Sequence, residues 1–284
     1  MTQDEAYWRQ WLGKSDVVTD TITAWPVAAL AATLDREETV PAAGTALPPL
    51  AHWLYFLPRS LQSDLGADGH AKRGGFLPPI PLPRRMWAGG RVHFLHPLWV
   101  GEPAQRTSVI ADLQMKRGRS GELVFVTVRH EIRNAAGLAL TEDHDIVYRA
   151  MPDPQAPLPP GQVPPAVAQW SRQVALDPVL LFRFSALTFN SHRIHYDQHY
   201  VTRVEAYPGL VVHAPLCATL LIDLLRRHLP DRVVSRFDFR ALRPLYAEGE
   251  LRVEGAAEPD GKRVRLWAVA GDGSMVMEAH AALL

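Results

Sequence analysis

Apolar and polar residues alternate along six stretches of the chain, which fall into two sets of three. The first set is SVIADLQMKR (108–117), ELVFVTVRHEIRN (122–134) and LALTEDHDIVYRA (138–150). The second is GELRVEGAAE (249–258), KRVRLWAVAG (262–271) and SMVMEAHAAL (274–283). A period of two marks a strand with one buried face, and Gly, Asn and Asp between the stretches supply turns, so each set predicts an antiparallel meander. Ahead of the second meander, VVHAPLCATLLIDLLRRHLP (211–230) has Leu216, Leu220, Leu221, Leu224 and Leu225 at helical spacing, and Asp223 as its only charge before the last turn. A helix this apolar all round must be mostly buried. Pro215 suits its first turn, Arg226, Arg227 and His228 suit its C-terminal dipole, and Pro230 stops it. LPPLAHWLYFLP (47–58) is a weaker counterpart ahead of the first meander, with Pro49-Leu50 in the place of Pro215-Leu216 and Leu47 where His213 falls.

The two halves also share a motif. FLHPLWVGE (94–102) matches ALRPLYAEGE (241–250) with one inserted residue. The chain therefore reads as an α+β repeat, each half an antiparallel sheet wrapped around a buried helix. Between the halves lies MPDPQAPLPPGQVPP (151–165), rich in proline, which fixes φ and removes amide donors. The expected organisation is an N-terminal domain at 1–150, a linker at 151–167 and a C-terminal domain at 168–284.

Composition narrows the function classes. Hydrophobic residues make up 47% of the 284 residues and charged ones 21%, as in ordinary globular proteins. Lys+Arg and Asp+Glu are both 30, a balance that argues against a nucleic-acid partner. The single Cys217 excludes an internal disulfide framework and a cysteine-rich zinc site. No apolar run approaches the roughly 18 residues needed to span a bilayer. The N-terminal MTQDEAYWRQWLGKSD resembles neither a secretory signal nor a transit peptide. The default expectation is a cytoplasmic enzyme without membrane partners.

Three segments carry a resemblance: GGFLPPIPLPRRMWAGG (74–90), FSALTFNSHRIHYD (184–197) and EAYPGLVVHAPLCATLL (205–221). With the duplicated meander they make the chain similar to the double hot-dog proteins of the MaoC-like (hydratase 2) group. Within it, the likeness is strongest to the mesaconyl-C4-CoA and itaconyl-CoA hydratases and the type 2 hydroxyacyl-thioester dehydratases. The resemblance implies reversible hydration of an enoyl-CoA, of a short branched or dicarboxylic C5 kind. It implies no cofactor beyond the CoA thioester substrate, and it leaves a homodimer open.

That reaction needs a base for the attacking water, a proton for C2 and donors for the thioester oxygen. His195 falls on the histidine of the group's H-x-D/E motif and is the expected acid–base. Asp197 has two readings, N-cap of a short helix or second catalytic acid. The group places an aspartate five residues before the histidine; here Asn190 stands there, with His192 where an asparagine is usual. Asn190 is then expected to hold the water or substrate. His213 and Ala214 begin the buried helix, and the Ala214 N–H is the natural oxyanion donor because Pro215 has none. The first half has no equivalent H-x-D, so it is expected to shape the acyl pocket. Arg193 or Arg183, with His192, could hold a substrate carboxylate, and Lys72, Arg73, Arg84 and Arg85 could meet CoA phosphates.

Other uses of these residues are weaker. His195 and His199 are four apart, but a cap at Asp197 would leave His195 outside the helix, so no metal site is expected. No G-x-S-x-G elbow is present, Gly13-Lys14-Ser15 has Trp8 where a phosphate loop needs Gly, and Cys217 sits inside an apolar helix. A hot-dog thioesterase, a broad 3-hydroxyacyl-thioester dehydratase of fatty-acid metabolism and a non-catalytic acyl-CoA binding protein remain as alternatives.

Overall fold

The computed structural model describes residues 3–118, 121–151, 161–165 and 167–284. Most of the proline-rich linker expected at 151–167 lies outside the described residues.

Ten strands form one antiparallel sheet: β1 (Ser15–Thr21), β2 (Arg84–Phe94), β3 (Pro103–Gly118), β4 (Gly121–Asn134), β5 (Gly137–Arg149), β6 (Trp170–Ala175), β7 (Val234–Ala241), β8 (Glu250–Ala257), β9 (Arg263–Ala270) and β10 (Met275–Leu283). The order is β1-β3-β4-β5-β2-β7-β10-β9-β8-β6. The first five strands and the last five follow the same path, so the predicted repeat is a repeat of topology. β2 and β7 meet at the seam, with Gly89 opposite Arg240 and Gly90 opposite Phe239. A Cβ on Gly89 would sit 2.6 Å from the Phe239 carbonyl oxygen, and one on Gly90 would sit 2.7 Å from the Phe239 ring. The glycine pair is what lets the two halves share a sheet.

Five helices accompany the strands: α1 (Gln3–Trp8), α2 (Ala24–Thr33), α3 (Pro178–Leu187), α4 (Gln198–Arg203) and α5 (Ala214–His228). The helix predicted from the leucine spacing is α5, and every residue from Leu216 to Leu225 is buried. Full burial of a leucine side chain contributes roughly 1.5–3 kcal/mol, so this stripe anchors the second half. Asp223, 1% exposed, takes Arg36 at 2.8 Å, Arg172 at 3.0 Å and Arg227 at 2.8 Å. One carboxylate thus ties α5 to its own last turn, to β6 and to the segment after α2.

The helix expected in the first half is reduced to one 3-10 turn at Ala51–Leu54. Pro49 and Pro58 leave too short a run for a helix, and Leu50 adopts a left-handed conformation at φ 66°. Hydrogen bonds also correct the register of the repeat. Leu47 N–H donates to Leu98 at 2.7 Å as Val212 N–H donates to Leu245 at 2.8 Å, and the bridge Ala46–Trp99 matches Val211–Tyr246. Leu47 is therefore the counterpart of Val212, and Pro48, not Leu47, occupies the place of His213.

Candidate active site between the halves

α3 begins at Asp177, whose side chain accepts from the Leu180 N–H at 2.7 Å. After its end the chain turns sharply at Phe189, which has φ 48°. That turn sends Asn190 into the cavity, where its N–H donates to the Ser185 carbonyl at 2.8 Å and its Oδ1 accepts from the His192 N–H at 3.0 Å. A 3-10 turn at Arg193–His195 follows, and Asp197 caps α4 by accepting from the Tyr200 N–H at 2.9 Å. The H-x-D spacing thus divides its work: the turn aims His195 inward, and the cap fixes where the turn ends.

His195 is 7% exposed, and its Nδ1 donates to the Val211 carbonyl at 2.6 Å. This bond requires the proton on Nδ1, which leaves Nε2 as an acceptor. Burial pushes the imidazole down to about 4, against the opposing pull of the Val211 bond, so the ring is neutral near pH 7. The His213 ring stacks on it at 3.6 Å and 19°. His213 Nε2 pairs with Ser185 Oγ at 2.8 Å, while its buried Nδ1 has no partner. Ala214 opens α5, and its N–H makes no hydrogen bond with the described residues. A neutral base, an amide donor and a helix N-terminus therefore share one cavity wall.

The opposite wall comes from the first half. The loop before β2 reaches across, with Arg193 N–H donating to the Asp68 carbonyl at 2.9 Å and Ser191 Oγ donating to the Gly69 carbonyl at 2.6 Å. Gly69 has φ 87°, and a Cβ there would lie 1.9 Å from the Ser191 oxygen, so only glycine fits. The loop carries His70, whose ring lies 3.9 Å from that of His192. His192 in turn lies 5.4 Å from His195. Burial, with His70 and His195 nearby, pushes His192 down to about 2. The cavity measures about 1590 Å³ and is lined by both halves, including His195, His213, Asn190, His144 and Arg85.

Several expected residues are elsewhere. Asp197 is outside the cavity lining, paired with Arg193 at 2.7 Å as well as capping α4, a placement that favours the cap reading. Arg193 is consumed by that ion pair and by the Tyr200 ring at 4.2 Å, and Arg183 is exposed on α3 away from the cavity. Neither can meet a substrate carboxylate there. Arg84 is outside the cavity lining, over the Tyr207 ring at 3.9 Å and donating to the Glu205 carbonyl at 2.6 Å. Arg73 is tied to the Ile80 and Pro83 carbonyls within its own loop. Lys72 is exposed at the cavity rim and donates to the Ser63 carbonyl at 2.8 Å.

Among the described residues, Asp68, His70 and His192 have metal-ligand spacing, with donor atoms within 4.8 Å of one another. His70 Nδ1 already meets the Asp68 carboxylate at 3.2 Å. The His70 and His192 rings are tilted by 42° to one another. His199, the other sequence candidate, is exposed on α4 while His195 is buried, so that pair shares no face.

The polar wall of the first half was not read from the sequence. Glu142 accepts from the Trp53 indole and pairs with His52 Nε2, each at 3.0 Å. Burial would raise its carboxyl, but the His52 bond and nearby imidazoles hold it down at about 2. His144 stacks on Trp87 at 3.8 Å, and burial pushes it down to about 3. The signal was present in the strand alternation: in LALTEDHDIVYRA, Glu142 and His144 occupy the same parity as buried Leu140, Ile146 and Tyr148.

Comparison with known proteins yields one family and several relatives. A family model for hydroxyacyl-thioester dehydratase type 2 matches residues 50–247. A mesaconyl-C4-CoA hydratase of Chloroflexus aurantiacus is 49% identical over 277 residues, covering 96% of this chain and 97% of that protein. Among solved structures, a MaoC-like dehydratase of Phytophthora capsici aligns with a TM-score of 0.72 at 12% identity, over 100% of this chain and 98% of that one. A conserved hypothetical protein of Mycobacterium tuberculosis with a double hotdog fold aligns with a TM-score of 0.61 at 15% identity, over 100% and 99% of the two chains.

Proposed function

The chain belongs to the hydroxyacyl-thioester dehydratase type 2 family, and from that premise we propose that it hydrates a short dicarboxylic enoyl-CoA of the mesaconyl-C4-CoA kind, reversibly. The observation that carries the reading is His195, held by Val211 as a neutral imidazole with Nε2 free, beside the unpaired Ala214 N–H at the start of α5. Nε2 takes a proton from water as its oxygen bonds to C3. The C2–C3 π pair moves onto C2 and the thioester oxygen, whose developing charge meets the Ala214 N–H and the positive end of α5. The imidazolium then returns its proton to C2. One histidine thus performs both transfers, and Asn190, unable to exchange a proton, positions the water. The chemistry calls on no cofactor, because proton transfer and oxyanion stabilisation both come from this chain's groups.

The cavity of about 1590 Å³ exceeds the roughly 300–1000 Å³ of ordinary small-molecule pockets, which supports a long substrate such as a CoA thioester. Lys72 is an exposed basic side chain at its rim and a candidate for a phosphate contact. The test is hydration of mesaconyl-C4-CoA, itaconyl-CoA and crotonyl-CoA side by side, followed as loss of enoyl-thioester absorbance. Turnover fastest on the dicarboxylic thioesters supports the reading. Release of free CoA thiol would turn it toward a thioesterase, and equal inactivity on all three toward an acyl-CoA binding protein.

A further inference from the structure

Arg84 and Arg85 are adjacent in sequence and opposite in fate. Arg84 is spent on Tyr207 and Glu205, as above. Arg85 lies directly across from Tyr148 in the β2–β5 ladder and lines the cavity. Among the described residues no carboxylate lies within ion-pair distance of it. Of the two acids that line the cavity, Glu142 is held by His52 and Trp53, and Asp64 makes no ion pair with Arg85. Arg85 instead faces Tyr148 across the ladder, and its charge is felt by the Tyr148 hydroxyl and by His70, His144 and His192. All three imidazoles are shifted toward the neutral form, burial being the first cause in each. Arg85 is thus a cation beside neutral imidazoles, with hydroxyl and imidazole N–H donors near it and no carboxylate within ion-pair distance among the described residues.

We infer that Arg85, with the Tyr148 hydroxyl, is the subsite for the free carboxylate of the acyl group, and so the residue that selects a dicarboxylic half-thioester over a plain enoyl thioester. This rests on the hydratase reading and deepens it. In a mesaconyl-C4 thioester the free carboxylate is bonded to C3, the carbon that receives the hydroxyl. It must therefore lie within a few bond lengths of His195. His192 spans that interval: its ring is 5.4 Å from His195, and it lies within reach of the Arg85 charge. Arg193 and Arg183, the arginines suggested by sequence proximity, are outside the cavity, whereas Arg85, suggested for CoA phosphate, is inside it on the acyl wall.

The test compares the wild type with Arg85→Met and Arg85→Lys. First, kcat/KM is measured on mesaconyl-C4-CoA and on 3-methylcrotonyl-CoA, which replaces the carboxylate by a methyl group, with crotonyl-CoA as an unbranched reference. Arg85→Met should lower the charged-to-neutral preference by roughly 10–100-fold, the strength expected of hydrogen bonds to a charged group, and Arg85→Lys should recover part of it. A preference equal to that of the wild type overturns the proposal. Second, calorimetric binding of succinyl-CoA and butyryl-CoA reads the same selection without turnover. The wild type should favour succinyl-CoA and Arg85→Met should not. If both proteins bind the two alike, the proposal fails even where hydration is intact. If hydration of every thioester fails but the succinyl preference depends on Arg85, the subsite stands and the hydratase reading falls.

Discussion

The rings of His195 and His213 lie face to face, 3.6 Å between centroids and 19° from parallel. Two positive charges about 4 Å apart at an effective dielectric of about 20 repel by roughly 4 kcal/mol. In the proposed mechanism His213 must therefore stay neutral whenever His195 carries the proton taken from water. Its environment enforces this: burial, then the nearby His195 and His192, push His213 well below the usual histidine range. In the proposed mechanism this stacking would deny the proton a second resting place.

From this follows a pH dependence with a definite sign. In the proposed mechanism the working base is neutral His195, and burial holds it at about 4 in the folded protein. The acid limb of kcat/KM is expected below about pH 5 and not near the ordinary histidine value of about 6.5. Stability follows the same groups. His130 at about 4, His144 at about 3 and His192 at about 2 are, like His195, lowered first by burial. Each binds a proton more readily when unfolded, so their contribution is complete above about pH 6.5 and is lost as pH falls from there through about 2. Urea midpoints across that window should decline steadily, and an acid limb of activity centred at 6.5 would count against the assigned base.

Replacing His195 by Ala removes the only group given a proton-transfer role. kcat should fall by roughly 10²–10⁴-fold. Binding of butyryl-CoA, which needs no proton transfer, should survive, and calorimetry on the variant checks it. Loss of binding together with turnover would point to collapse of the loop rather than loss of a base.

Asp197 separates position from chemistry. Asp197→Ala should lower the melting temperature, because the Tyr200 N–H loses its cap and Arg193 loses its ion-pair partner. Asp197→Asn keeps a capping oxygen and should recover most of that loss. kcat in the Asn variant should remain within about threefold of wild type, as for an ordinary surface substitution. A loss of kcat on the scale of His195→Ala in both variants would restore Asp197 as a catalytic acid.

Asp223 carries a different kind of burden. Asp223→Asn leaves Arg36, Arg172 and Arg227 facing one another without their shared anion. Breaking a buried ion pair from one side costs about 3–5 kcal/mol. Equilibrium urea unfolding should show a loss of that order, with the discrimination among substrates intact in the folded fraction.

The parts of the molecule that were legible in the sequence are those whose signal is local. Alternation exposed the meanders, all-round apolarity exposed α5, and Asp197 announced its helix because a cap acts over three residues. The place of His195 in the cavity wall was legible through motif spacing within the resemblance. Leu47 was matched to His213 because LPPL and HAPL look alike, and only the Leu47–Leu98 and Val212–Leu245 hydrogen bonds reveal the one-residue offset. Arg84 and Arg85 could not be told apart without knowing which face of β2 looks into the cavity, and Arg183 and Arg193 looked eligible because they flank the motif along the chain. Proximity in three dimensions depends on the loop at Asp68–His70 crossing from the other half, which no short window of sequence contains.

The substitution of Pro48 for a histidine in the first repeat has a consequence for counting. A duplicated fold suggests two equivalent catalytic centres, yet the first copy of the helix start offers a ring with no N–H, no lone pair for a proton and no long helix behind it. Its interior serves as the far side of the second copy's chamber. Titration with a tightly bound, unreactive thioester should therefore saturate at a single equivalent per polypeptide, and half-of-sites behaviour, if seen, would have to arise between chains and not within one.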